Sequence, residues 1–110
     1  MTEPPSAPEN VQITEVFKNS ISLSWSPPTT DGGSPVIGYF IERSLAAKDR
    51  WLRITKSTMT QLNYADKEVV EDTEYIYRVT AENKVGAGPP SEPTKPVKAK
   101  DPWSKYKVGF

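Results

Sequence analysis

The carboxylates of Glu68, Glu71, Asp72 and Glu74, with Lys67 beside them, form a dense group of titratable side chains in this sequence. Paired carboxylates can do general acid and base work where an apolar pocket drives their pKa values apart. Here they crowd one charged turn with no apolar pocket around it, and a solvated loop is the simpler reading. The glycines Gly32, Gly33, Gly86 and Gly88 are a second suggestive set, because glycine-rich loops can cradle phosphate. Neither pair is followed by a helix start or by GxxxxGK spacing, so they are expected to supply positive φ in turns. The sequence contains no cysteine and no histidine. Thiol nucleophiles, disulfides, imidazole bases and thiolate or imidazole metal sites are excluded, and the expectation is of a chain that is not an enzyme and uses no cofactor or metal.

What remains is work done by shape and surface. From Glu74 to Asn83 the residues alternate strictly, with Tyr75, Tyr77, Val79 and Ala81 on one face and Glu74, Ile76, Arg78, Thr80 and Glu82 on the other. That period of two is the signature of a half-buried antiparallel strand. A second alternation sets Ile21, Leu23 and Trp25 against Ser20, Ser22, Ser24 and Ser26. Two such inward faces pack as a sandwich.

The eleven prolines reinforce this, because none lies between Val36 and Gly88. A ladder strand cannot spare its N–H, so the proline-free middle should hold the paired strands. Seven strands are expected, near Val11–Val16, Ser20–Ser26, Val36–Ser44, Trp51–Thr55, Gln61–Ala65, Glu74–Asn83 and Thr94–Ala99. Loops of turn residues join them, chiefly Pro27 to Pro35 and Val85 to Pro90. The expected centre of the core is Trp25, Tyr39, Ile41, Tyr75, Tyr77 and Val79, surrounded by Ile13, Ile21, Leu23, Ile37, Val69 and Ala81. Tyr75 opens its strand where a buried hydroxyl can turn back to the preceding backbone, the arrangement known as a tyrosine corner.

With 110 residues there is room for one domain and no second. Fourteen basic and fourteen acidic side chains cancel, leaving no field to recruit nucleic acid. No apolar run approaches the roughly 20 residues of a membrane span, and no signal pattern opens the sequence. Missing cysteines and missing glycosylation sequons favour the cytosol.

The pieces Pro8-x-Asn10-Val11, Ser22-Leu23-Ser24-Trp25 with Pro27-Pro28, Gly38-Tyr39-Phe40-Ile41 and Tyr75-x-Tyr77-Arg78-Val79-x-Ala81-x-Asn83-x-x-Gly86-x-Gly88 together resemble the fibronectin type III module. The resemblance implies an all-β fold, a seven-stranded antiparallel immunoglobulin-like β-sandwich over residues 7–101. It leaves residues 1–6 as an N-terminal linker and residues 102–110 as a C-terminal linker or the start of a further module. Where many members carry Leu-x-Pro before the corner tyrosine, this chain has Val69-Val70-Glu71. Asp31 to Tyr39 and Lys98 to Pro102 are similar to the modules of giant intracellular muscle proteins of the titin and twitchin type. That similarity implies a structural and protein-interaction unit of a tandem array along the sarcomeric thick filament. Its implied partners are neighbouring immunoglobulin and fibronectin modules and myosin or other thick-filament proteins, with the isolated domain a monomer. The alternative is a ligand-binding module of a cell-surface receptor or adhesion protein, although the Arg-Gly-Asp tripeptide of integrin-binding relatives is absent.

Several residues are candidates for contact. Phe40 and Ile76 point outward by strand parity, and Trp51 is expected to pack over a sheet edge or stand beside Arg43 and Arg53. Asp31, Gly32 and Gly33 in one loop and Lys84 and Gly86 in another are the candidate loop residues. Pro102 and Trp103 are candidates for contact with a following module. Glu3, Glu9 and Glu15 make the start acidic, and Lys95, Lys98, Lys100, Lys105 and Lys107 make the end basic, so an acidic start is expected to meet a basic end between successive modules.

Overall fold

The computed structural model describes residues 1–102 and shows two antiparallel sheets packed face to face, with no α-helix among the described residues. Strands β1 (Glu9–Phe17) and β2 (Ser20–Ser26) form a hairpin, and the other edge of β2 pairs with β5 (Asn63–Asp66). The second sheet is centred on β3 (Gly38–Leu45) and β6 (Glu74–Asn83), paired from Gly38 with Glu82 to Leu45 with Tyr75. The short β4 (Leu52–Arg53) flanks β3, while β7 (Gly86–Ala87) and β8 (Val97–Lys98) both flank β6. The all-β sandwich is the fold expected from the sequence.

The last expected strand, Thr94–Ala99, is shortened to β8, and the edge it belongs to is interrupted by proline. Along one edge of β6, β7 pairs with Glu82 and Asn83, then Gly88 N–H donates to Ala81, Ser91 N–H to Val79 and Thr94 N–H to Tyr77, before β8 meets Tyr75 and Glu74. Pro89, Pro90, Pro93 and Pro96 lie between these contacts and have no N–H to give. This edge therefore runs as two short strands joined by isolated bonds, β8 within the expected strand Thr94–Ala99 and β7 within the expected loop from Val85 to Pro90. β4 is curtailed differently: Ile41 N–H donates to the Thr55 hydroxyl at 3.2 Å, so a side chain takes the place of a ladder carbonyl.

Alternation places the core where the two sheets face. Ile21, Leu23 and Trp25 from β2 meet Tyr39 and Ile41 from β3 and Tyr75, Tyr77, Val79 and Ala81 from β6, with Val69 and Ala99 closing the end. Trp25 and Tyr39 meet edge to face, with centroids 5.6 Å apart, a geometry that suits the quadrupoles of the two rings. Val70 N–H donates to the Tyr75 hydroxyl at 2.8 Å, closing the corner at the start of β6. Ile37 departs from expectation, being 53% exposed while Val36 packs on the core. The β3–β6 register continued one step beyond Gly38 and Glu82 sets Ile37 opposite Asn83. There the buried Asn83 is engaged in hydrogen bonds, and apolar packing has given out.

One charged pair spans the layers. Arg43 extends from β3 between the sheets to Asp66 on β5, Nη1 to Oδ2 at 2.7 Å. Tyr77 donates its hydroxyl to that same oxygen, also at 2.7 Å, and Glu68 N–H donates to the other oxygen at 3.1 Å. Burial opposes the charge on Arg43, but the hydrogen bond and charge of Asp66 outweigh it and its pKa is raised. Burial first, and the Asp66 bond second, push the Tyr77 hydroxyl well above the ordinary tyrosine range.

Candidate interaction surface

At one pole of the sandwich the candidate loop residues lie against the chain's own beginning. Residues 1–6, expected as a linker, are hydrogen-bonded to the loop between β2 and β3. Glu3 N–H donates to the Gly32 carbonyl at 2.8 Å and Ser6 N–H to Thr30 at 3.0 Å, while Thr30 N–H returns to the Ser6 hydroxyl at 3.2 Å. The Asn83 side-chain amide ties both strands of this contact together, donating to Glu3 at 2.8 Å and to Asp31 at 2.7 Å. The oxygen of the same amide accepts from Val85 and Gly86, which forms the turn into β7. A fully buried Pro5 completes the seal.

Two glycines make this approach possible. Gly32 combines a φ of 78° with a position where a Cβ would collide with the Glu3 carbonyl oxygen. At Gly88 the requirement is space alone, since a Cβ there would strike the Pro5 carbonyl oxygen. Gly33 and Gly86 also have positive φ. Asp31 and Lys84 are exposed at the rim, with the Asp31 carboxylate capping Gly33 N–H at 2.8 Å.

The opposite pole holds the chain's exit. Lys18 N–H, in the β1–β2 turn, donates to the Asp101 carboxylate at 3.0 Å. The two ends are thus pinned at opposite ends of β2, whose seven residues span roughly 23 Å. Pro102 follows, exposed, and Trp103 lies outside the described residues. Glu68, Glu71, Asp72 and Glu74 are exposed on the charged turn. Among the described residues no group of three or more acidic or metal-ligating side chains could hold a metal ion.

On the outer face of the second sheet, Phe40 and Ile76 are both half-buried but are not brought together. Phe40 pairs with Thr80 and Ile76 with Ser44, four positions or roughly 13 Å along the ladder. Arginines cover the aromatics instead. The Arg53 guanidinium sits 4.2 Å from the Phe40 ring centroid and the Arg78 guanidinium 4.3 Å from that of Trp51. Glu42, between them on β3, accepts from Arg78 at 2.8 Å. Trp51 therefore lies beside Arg78 rather than Arg43, whose side chain turns inward.

Sequence reasoning passed over Asn83, Arg78 and Arg43 as site residues. A signal existed for two of them: Asn83 and Arg43 share the inward parity of their strands, where a polar side chain needs an internal partner.

The comparisons with known proteins agree with this architecture. Human slow-type myosin-binding protein C is 37% identical over 94 residues, covering 86% of this chain and 8% of that protein. Human myomesin-2 is 37% identical over 98 residues, 88% of this chain and 7% of its own length. The chain therefore spans less than a tenth of these relatives. Among solved structures, domains A168–A170 of titin superpose with a TM-score of 0.86 at 34% identity, covering 91% of this chain and 34% of that one. The sequence pattern of the fibronectin type III domain matches residues 6–97, and the chain belongs to that family.

Proposed function

We propose that this chain is a non-catalytic spacer and protein-interaction module, one unit of a tandem array in a cytoplasmic, sarcomeric protein of the thick filament. The observation that carries the reading is the fixing of the segments that enter and leave the sandwich at opposite poles, by Asn83 and Gly32 around Glu3 and by Asp101 on Lys18. An element whose ends are held apart by a packed core transmits length and direction along a chain. A relative named for myosin binding supports the placement, and neighbouring modules and myosin are the partners it implies. The acidic start and basic end favour head-to-tail stacking, with exposed pairs contributing only about 0–1 kcal/mol. Residues 7–101 form the working domain in this reading, with Pro102 and Trp103 beginning the contact with the next module.

The pole loops bear on the adhesion alternative. Gly32 and Asn83 face the chain's own first residues, which leaves less of that surface for an outside ligand. Fluorophores at positions 2 and 100 test the spacer reading directly. A single narrow distance distribution is expected in the folded chain. A broad one would overturn it. Co-sedimentation with myosin filaments tests the partner separately.

A further inference from the structure

Residues 1–6 hold to the sandwich by a different kind of contact from the strands. β1 is bonded to β2 along a ladder from Glu9 to Phe17, whereas the bonds of residues 1–6 go to the β2–β3 loop and to the Asn83 side chain. Pro4 and Pro5 have no N–H, so between residues 3 and 6 the backbone donors are those of Glu3 and Ser6. Both are used, on Gly32 and Thr30. A proline pair cannot extend the β1 ladder. It does preset an extended backbone, which lowers the entropy lost each time the segment settles into place.

Met1 to Pro4 are exposed, and burial is concentrated in Pro5. A few hydrogen bonds and one buried proline belong at the low end of local opening free energies, well below a nine-residue strand paired along its length. The pole also survives the loss of this segment. Asn83 donates to Asp31 as well as to Glu3, and its oxygen accepts from Val85 and Gly86. When Glu3 leaves, water can take its place on the opened amide, while the β2–β3 loop and the turn into β7 stay tied.

We propose that residues 1–6 are a strap that lets go under tension before the sandwich yields, and closes again when the tension falls. The proposal rests on reading the chain as a spacer in series, because tension then enters through the residues ahead of β1. Closed, the strap fixes where the chain meets the pole. Open, it frees the eight residues ahead of Glu9 as slack, roughly 25–30 Å at full stretch.

The chain has no cysteine, so pulling handles can be attached at cysteines introduced for the purpose. With Thr2→Cys and Lys100→Cys, force spectroscopy should show a step shorter than roughly 25 Å that opens and closes repeatedly, at a force below that of the large unfolding step. With Glu9→Cys in place of Thr2→Cys the load bypasses the strap, and the small step should vanish while the large one stays. Asn83→Ala should shift the balance at a given force about tenfold towards the open state, as expected for loss of the one hydrogen bond that differs between the two states. Gly88→Ala should shift it in the same direction by displacing Pro5. Loss of the whole sandwich as the first event with a handle at position 2, a small step that persists with the handle at position 9, or a step unmoved by both variants would overturn the proposal. Failure here with a narrow distance between positions 2 and 100 would remove the strap and leave the spacer reading standing.

Discussion

Tyr77 and Arg43, on neighbouring strands of one sheet, donate to the same oxygen of Asp66 in the other, each at 2.7 Å. Asp66 is 1% exposed and Tyr77 wholly buried, so the layers are joined by a hydrogen-bonded charge as well as by apolar contact. Removing Asp66 leaves the Arg43 guanidinium and the Tyr77 hydroxyl without their shared acceptor. Asp66→Ala should cost about 3–5 kcal/mol, the usual penalty for stranding a buried charge. Tyr77→Phe should cost only about 1–3 kcal/mol, since Arg43 and the Glu68 N–H still satisfy the carboxylate. Replacing Arg43, Asp66 and Tyr77 together by Met, Leu and Phe should recover much of the loss. Urea denaturation of the set measures all three, and a mild Asp66→Ala would show that the pair contributes little.

The same site makes stability depend on alkaline pH. Burial and the Asp66 bond raise the Tyr77 pKa, burial raises that of Tyr39, and burial foremost raises that of Tyr64. A raised folded-state value means that folding favours the protonated hydroxyl. That contribution is complete below the unfolded tyrosine value near pH 10 and is lost as pH climbs past it. Unfolding free energy should hold level through neutral pH and fall above about pH 10, less steeply in Tyr77→Phe. Ordinary tyrosinate absorbance from all five tyrosines of the still-folded chain would contradict this.

Asn83 joins Glu3 to Asp31 through one amide. Asn83→Ala should destabilise the domain by about 1–3 kcal/mol, the cost of buried groups left unpaired. It should also speed amide exchange at Glu3 and Ser6. Gly88→Ala should speed exchange at the same two amides by displacing Pro5. Exchange unchanged in both variants would mean that the N-terminal residues are held by something else.

Trp25 separates volume from hydrogen bonding. Its Nε1 is buried with no partner, the one such side-chain atom among the described residues. The ring fills the core while its donor gains nothing there. Trp25→Ala should cost about 3–5 kcal/mol. Trp25→Phe should cost distinctly less, because it removes the unsatisfied N–H along with part of the ring. Thermal melts of the two variants decide it, and equal losses would point to a polar contact at Nε1.

Parity was the legible part of this molecule. The inward rows of β2 and β6 could be read from Ile21 to Trp25 and from Tyr75 to Ala81, because a period of two needs no tertiary information. Arg43 shows how composition misleads parity: it sits two residues after Ile41 and so faces inward, yet an arginine is counted as surface until its partner is known. That partner, Asp66, comes from the other sheet. The arginine stacks were illegible for a related reason. β4 has two residues, too few for a pattern to declare its register against β3, and only that register carries Arg53 over Phe40. The N-terminal prolines read as linker by composition. Their docking depends on Asn83 and on the side chain that Gly88 lacks, both remote in sequence.

The interrupted edge beside β6 has a consequence for crowding. An open sheet border offers a row of N–H and C=O groups onto which a like chain can add, and that is how β-rich proteins knit into aggregates. Here the border is Gly86 to Lys98, and Pro89, Pro90, Pro93 and Pro96 leave gaps in its donor row. Copies of this domain held close together therefore meet, on this side of the second sheet, a border that cannot be extended in register.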